Sequence, residues 1–107
     1  SVEFNPNFPP DALITFQRQW HKYAGTKVYG ASAGALNFIA EMYGYVVVHV
    51  MYGLDMFFIR RDVLWEHCDL ETIPSFDKLS EHLPAETPHL DCRRGDLYRV
   101  LDLPLAL

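Results

Sequence analysis

Apolar and polar positions follow their most regular pattern between Tyr29 and Asp62. Apolar residues at helical spacing after Ser32 predict an amphipathic helix that ends near Tyr43. Ser32 is a favourable N-cap residue, and Gly44 can adopt the left-handed conformation that commonly stops a helix. The side chains expected on the buried face of this helix are Leu36, Ile39, Ala40 and Tyr43.

Gly34 falls within the first turn of this predicted helix. Glycine in such a position costs about 1 kcal/mol relative to alanine, because it has more backbone freedom to lose. Its presence indicates that another group approaches the backbone closely at this point. We therefore expect either a ligand or a neighbouring segment of the chain against Gly34.

Two apolar runs follow the helix, at residues 45–51 and 56–61. The first run is rich in β-branched residues and is continuous enough to predict a strand buried on both faces. His49 alternates into this strand and is therefore expected to be a core histidine. Because only residues 52–55 separate the two runs, the two strands must be antiparallel.

The flanking segments carry weaker signals. Residues 2–4 resemble the end of a strand, and the prolines that follow should stop regular structure by Asn5. Asp11 is expected to cap a helix over residues 11–23. Downstream of the hairpin, short helical segments are predicted at residues 62–67, 76–82 and 96–101.

The predicted order of elements is strand, crossover helix and antiparallel β-hairpin, which indicates an α/β fold. Residues 1–68 would form this α/β unit, and residues 69–107 would form a peripheral tail with short helices. Residue 1 is serine rather than methionine, and the strand expected at residues 2–4 begins almost at once. We therefore interpret the chain as the C-terminal part of a larger protein.

Composition narrows the possible partners. The 107 residues carry a net charge of −5 with a pI near 5.4 and form no basic stripe, which argues against a nucleic-acid partner. The longest apolar run, at residues 43–52, is too short to span a membrane. Cys68 and Cys92 lie in unrelated contexts, so reduced thiols and a cytoplasmic location are favoured over a disulfide or a zinc site.

Gly30, Ser32 and Gly34 together spell the G-x-S-x-G pattern of a hydrolase nucleophile elbow. Residues 28–36 resemble the serine loop of patatin-like lipases, in which this pattern leads directly into a helix. The chain lacks the upstream glycine-rich loop and the aspartate–glycine pair that such lipases also carry. A serine hydrolase that uses Ser32 is therefore one alternative, and a serine that only caps the helix is the other.

Four motifs follow one another in the first part of the chain. They are VEFNPNFPP at residues 2–10, YGASAGAL at residues 29–36, GY at residues 44–45 and FFIRRD at residues 57–62. In this order they resemble the C-terminal half of FkbM-type methyltransferases, which carry an EYN…PP segment, a YGAS-x-x-AL helix start, a KGY strand entry and an FFVR-x-D final strand. Asp55 stands where the hairpin of those relatives often has an asparagine.

The resemblance implies the C-terminal part of a Rossmann-like methyltransferase sheet, whose otherwise parallel strands end with an antiparallel one. The hairpin at residues 45–61 would supply that strand. The resemblance also implies S-adenosylmethionine as the cofactor, bound by a glycine-rich loop and an acidic residue that would both precede Ser1. The chain alone is therefore expected to be inactive.

The same resemblance implies that the residues that contact the substrate lie within this chain. Polar residues at the carboxyl end of a strand and at a helix start would contact a small-molecule or glycan-like substrate. These candidates are Glu3, Asn5, Asn7, Tyr29 and Ser32. The same side chains could instead only shape turns and cap the helix. A further alternative is a Rossmann-like interaction module without catalytic activity.

Overall fold

Five strands and three α-helices occur in residues 1–16, 29–88 and 97–99, which are the residues that the computed structural model describes. The strands are β1 (Val2–Glu3), β2 (Ile14–Phe16), β3 (Tyr45–Val50), β4 (Asp55–Arg60) and β5 (Leu97–Arg99). The helices are α1 (Ala33–Met42), α2 (Arg61–His67) and α3 (Phe76–Leu79), with a 3₁₀ turn at Leu70–Thr72. Among these elements no helix has the length and apolar character needed to cross a membrane.

β4 is the central strand of a three-stranded antiparallel sheet with the order β1-β4-β3. Val2 of β1 lies opposite Met56 of β4, and Tyr45 of β3 lies opposite Arg60. Because β1 and β3 are both antiparallel to β4, they run in the same direction on its two sides. The predicted hairpin is confirmed, and the described residues form a small α/β arrangement.

The prediction that β3 is buried on both faces, with His49 in the core, is wrong. A β-bulge between Val47 and His49 shifts the register of pairing with β4. The bulge adds one residue to the alternation, so that Val47 and Val50 share the buried face. His49 is exposed on the other face, where its ring centroid lies 6.0 Å from that of Phe57.

α1 begins and ends where the sequence predicts. The Ser32 hydroxyl accepts a hydrogen bond of 3.3 Å from the Ala35 amide, and Gly44 follows the helix with a φ of +80°. Leu36 packs against the core as expected. The expected burial of Tyr43 is wrong, because this residue is the C-cap and its side chain is 58% exposed.

A neighbouring segment accounts for Gly34. A Cβ atom at this position would overlap the carbonyl oxygens of Pro10 and Ala12, the second of them at 2.5 Å. The expected close approach is therefore confirmed, and the approaching group is the backbone of the segment that follows the proline-rich loop. A side chain as small as alanine would push this segment away from the first turn of α1.

The helix predicted over residues 11–23 is wrong in its first part, where β2 is found instead. β2 pairs antiparallel with β5, with Ile14 opposite Arg99, and β5 likewise replaces part of the helical segment predicted at residues 96–101. β-Branched and aromatic residues favour a strand when a partner strand is available. The local sequence pattern around β2 cannot show this pairing, because β5 lies far along the chain. Residues 17–23 lie outside the described residues.

The segment after the hairpin contains the short helices that the sequence predicts near residues 62–67 and 76–82. α2 begins one residue earlier than expected, and α3 ends already at Leu79. A residue beyond α3 completes the hydrophobic core between the sheet and α1. The core residues are Phe4, Ala33, Val47, Val50, Met56 and Leu83.

Candidate functional site

Asn5 joins the end of β1 to the segment that leads into α1. Its side chain is completely buried, and its Oδ1 accepts hydrogen bonds from the Asn7 backbone amide at 3.0 Å and from Asn7 Nδ2 at 2.7 Å. Asn5 Nδ2 donates to the Tyr29 carbonyl at 3.0 Å, and the Asn5 backbone N–H donates to the Ala31 carbonyl at 2.8 Å. One asparagine therefore fixes both the turn after β1 and the approach to the helix.

Ser32 joins the same approach to β2. Its hydroxyl is completely buried, donates to the Ala12 carbonyl at 2.5 Å, and accepts from the amides of Ile14 at 3.0 Å and Ala35 at 3.3 Å. All three partners are backbone atoms, and none of them could take a proton from a nucleophile. In this geometry Ser32 has a structural role, and the hydrolase alternative gains no support.

The structure brings together four of the five residues predicted to contact a substrate. Asn5, Asn7 and Tyr29 share hydrogen bonds, and Asn5 forms an isolated parallel bridge with Ser32. Asn7 and Tyr29 are only partly buried, whereas Asn5 and Ser32 offer no surface. Glu3 is exposed on β1 and makes no hydrogen bond or ion pair with the described residues. Substrate contact by these residues stays a prediction.

A cavity of about 340 Å³ lies at the edge of the sheet where β1 and β3 end. Its walls are Pro6, Tyr52, Gly53, His82, Leu83 and Pro84. The rings of Tyr52 and His82 lie with their centroids 5.6 Å apart and their planes at 40°. Pro6 stands between Asn5 and Asn7 in the chain, so the cavity adjoins the asparagine network. Ligands of α/β sheets bind at the carboxyl ends of parallel strands, which is the location of this cavity.

Tyr52 and His82 carry exposed groups that can bind a ligand by hydrogen bonds, whereas the Asn5 side chain is buried. A neutral imidazole nitrogen accepts a hydrogen bond or a proton from a hydroxyl or an amine, and a phenol donates or accepts a hydrogen bond. The sequence did not point to this pair, because Tyr52 lies in a hairpin turn and His82 follows α3. The packing of α3 against β3, which the sequence does not predict, brings His82 to the hairpin turn.

Three of the described glycines have a structural explanation. Gly34 is closed off by the backbone, and Gly44 and Gly53 have positive φ at a helix end and in the hairpin turn. Within residues 1–16 and 29–88, no three His, Cys, Asp or Glu side chains come together in a way that could hold a metal ion. The binding of S-adenosylmethionine that the resemblance implies stays a prediction.

Comparison of the chain with protein-family models, with curated proteins and with solved structures gave no match. The functional assignment consequently rests on the topology and the side chains of the described residues. The resemblance to FkbM-type methyltransferases stays a prediction at this point.

Proposed function

We propose that this chain is the C-terminal half of an S-adenosylmethionine-dependent methyltransferase of the FkbM type, with a Rossmann-like sheet. The observation that carries the proposal is the direction of three strands. β4 lies between β1 and β3 and is antiparallel to both, so β1 and β3 are parallel to each other. The resemblance implies the same arrangement, in which the last strand in chain order is antiparallel to the other strands of the sheet.

The connection between β1 and β3 supports the same proposal. α1 lies between these strands in the chain and packs against β3, as a helix does when it joins two parallel strands of one sheet. The hydrogen bonds of Asn5 and Ser32 hold the start of α1 close to the end of β1. β4 then returns from β3 into the position between the two parallel strands.

Under this proposal the described residues supply the acceptor side of the active site. The cofactor, bound by sequence that precedes Ser1, would supply an electrophilic methyl group. The cavity at the ends of β1 and β3 would hold the acceptor, a small molecule or a glycan-like compound. His82 would accept the proton that the acceptor oxygen or nitrogen loses, and Tyr52 would orient the acceptor.

Calorimetry with S-adenosylmethionine tests this proposal on two proteins, the chain itself and a form extended by the sequence that precedes Ser1. We expect binding to the extended form and none to the chain alone. An extended form that binds no S-adenosylmethionine would contradict the methyltransferase assignment. That result would favour the alternative of a Rossmann-like interaction module, which keeps the sheet without the chemistry.

The acceptor side needs a separate experiment. The extended form would be screened with sugars and other hydroxyl compounds for release of S-adenosylhomocysteine. With an acceptor found, His82→Gln should lower the rate by about 10²-fold or more, the range expected for loss of a general base, while cofactor binding stays unchanged. His49→Gln is the matched control, because His49 is exposed on β3 and outside the cavity. Equal rates for the two variants would remove His82 from the proposed site.

A further inference from the structure

A second surface lies at the opposite end of the sheet, where β3 begins and β4 ends. We define the β3 corner as the groove of about 530 Å³ lined chiefly by Tyr43, Tyr45, Arg60, Arg61, Asp62 and Trp65. The side chains of Tyr43, Tyr45 and Trp65 are 58%, 38% and 74% exposed. Trp, Tyr and Arg are the residues most enriched among the binding hot spots of protein interfaces.

Arg61 gives the β3 corner a positive charge that has no ion-pair partner among the described residues. Arg60 forms a salt bridge of 2.5 Å with Asp62, and Lys78 forms one of 3.3 Å with Glu81. The Arg61 side chain makes no ion pair or hydrogen bond with residues 1–16 or 29–88, although the whole chain carries a net charge of −5. The corner is thus a positive site on an acidic protein, and it complements an anionic group.

β3 offers unpaired backbone groups beside this charge. The Arg61 N–H donates to the Gly44 carbonyl at 2.8 Å, so these two residues form a hydrogen-bonded pair at the end of the ladder. Such pairs alternate along antiparallel strands, and the backbone groups of Tyr45 and Val47 therefore point away from β4. Within the part of the chain that the structure describes, β4 is the only strand paired with β3. An open edge of this kind can accept an added strand.

Space for an extended ligand continues along β3. Arg61 also lines a second cavity, of about 220 Å³, which is bounded by Glu41, Val46, Val47 and residues 73–76. Arg61 is therefore a wall of both cavities. Glu41 makes no ion pair with Arg61. A ligand seated at the corner has room beside the open edge near Val47, and not only at the first residue of the strand.

We propose that the β3 corner binds an extended peptide segment of a partner protein that carries an acidic side chain. The peptide backbone pairs with the edge at Tyr45 and Val47, the acidic side chain pairs with Arg61, and apolar side chains pack on Trp65. A small anion would use Arg61 but leave the open edge unpaired, so the two features together favour a peptide. The corner lies at the other end of the sheet from the acceptor cavity, and this inference does not depend on the proposed function.

Selection from a random dodecapeptide display library, with the chain as the target, tests the proposal. We expect the selected peptides to contain Asp or Glu, and their affinity to fall about tenfold in Arg61→Gln. Lys78→Gln is the matched control, because it removes the same charge outside the corner and should change affinity by less than about twofold. A library that yields no binders, or binders that tolerate Arg61→Gln, would overturn the proposal.

Amide hydrogen exchange then tests the mode of binding. A bound peptide should slow exchange at Tyr45 and Val47, and N-methylation of alternate peptide residues should abolish binding by removing its donors. Binding without protection of these amides would overturn the strand-addition mode. Size-exclusion chromatography of the chain alone provides a second check. A dimer that disappears when selected peptide is added supports the corner as a peptide site, whereas a dimer that selected peptide cannot displace would assign the edge to a second copy.

Discussion

The two ends of the three-stranded sheet treat polar side chains in opposite ways. Beyond the end of β1, Asn5 and Ser32 are 0% exposed and bond to groups of neighbouring segments. At the β3 corner, Arg61 has no partner among the described residues and Trp65 is largely exposed. The first end uses polar groups to hold segments of the chain together, whereas the second leaves them available to another molecule. Substitutions of Asn5 and Ser32 should therefore change stability, whereas substitutions of Arg61 and Trp65 should change binding.

Asn5→Ala should have the largest effect on stability. The substitution removes the hydrogen bonds that the buried Asn5 side chain makes with the Asn7 amide, the Asn7 side chain and the Tyr29 carbonyl. A hydrogen bond of a buried side chain contributes about 1 kcal/mol, and with three bonds removed we expect a total loss of about 3 kcal/mol. Urea unfolding measures it. Asn7→Ala, at a partly buried position, is the control and should lose about 1 kcal/mol. Similar losses for both variants would contradict a central role for Asn5.

Gly34→Ala tests the same end of the sheet through packing. Helix propensity alone would make this substitution stabilising by about 1 kcal/mol. A Cβ atom at this position would, however, meet the carbonyls of Pro10 and Ala12, and overpacking typically costs about 1–3 kcal/mol. We therefore expect a net loss of up to about 2 kcal/mol in urea unfolding. A gain in stability would contradict this expectation, because it would mean that the segment at Pro10 and Ala12 is free to move away.

Ser32→Ala should cost somewhat less, about 1–2 kcal/mol, because it removes an N-cap and a link to β2 at once. The same residue separates the structural role from the catalytic alternative. The buried Ser32 hydroxyl should not react with a fluorophosphonate probe. Labelling of the chain that is lost in Ser32→Ala would contradict the structural role and restore the hydrolase alternative.

The parts of the fold that the sequence predicts are those whose signals are local. α1 is framed by Ser32 and Gly44, and the strands β3 and β4 are joined by a connection too short for a parallel pair. The pairing of β2 with β5 depends on residues far apart in the chain, and the local pattern at residues 14–16 predicts a helix instead. The bulge that exposes His49 is likewise a property of two strands in register, and the β-branched run of one strand does not reveal it.

The candidate site likewise contains residues that the sequence predicts and residues that it does not predict. Asn5, Asn7 and Tyr29 were identified because they follow a strand or precede a helix, and the structure joins them by hydrogen bonds. Tyr52 and His82 are neighbours because α3 packs against β3, which brings the residues beyond α3 to the hairpin turn that follows β3. No spacing in the sequence relates a hairpin turn to a residue beyond α3. For this reason the sequence does not predict that the side chains of Tyr52 and His82 line one cavity.

At the β3 corner the expected effects on stability are smaller, because the groups are exposed. The Arg60 side chain, and to a lesser degree the Val63 amide, hold the pKa of Asp62 below its ordinary value of 3.8 by hydrogen bonding to the carboxylate. A carboxyl whose pKa is lower in the folded state contributes stability above its unfolded pKa. That contribution is lost as the pH falls through the folded value. Stability should therefore decline slightly below about pH 4, and less so in Arg60→Gln.

NMR titration of the Asp62 carboxyl tests the difference between Arg60, which forms an ion pair with Asp62, and Arg61, which does not. In Arg60→Gln the pKa of Asp62 should rise toward 3.8, because the largest cause of its depression has been removed. In Arg61→Gln the pKa should stay where it is, since Arg61 makes no ion pair with Asp62. A rise in Arg61→Gln as large as that in Arg60→Gln would mean that Asp62 already neutralises Arg61. The β3 corner would then lose the unpaired charge on which the binding of an acidic peptide depends.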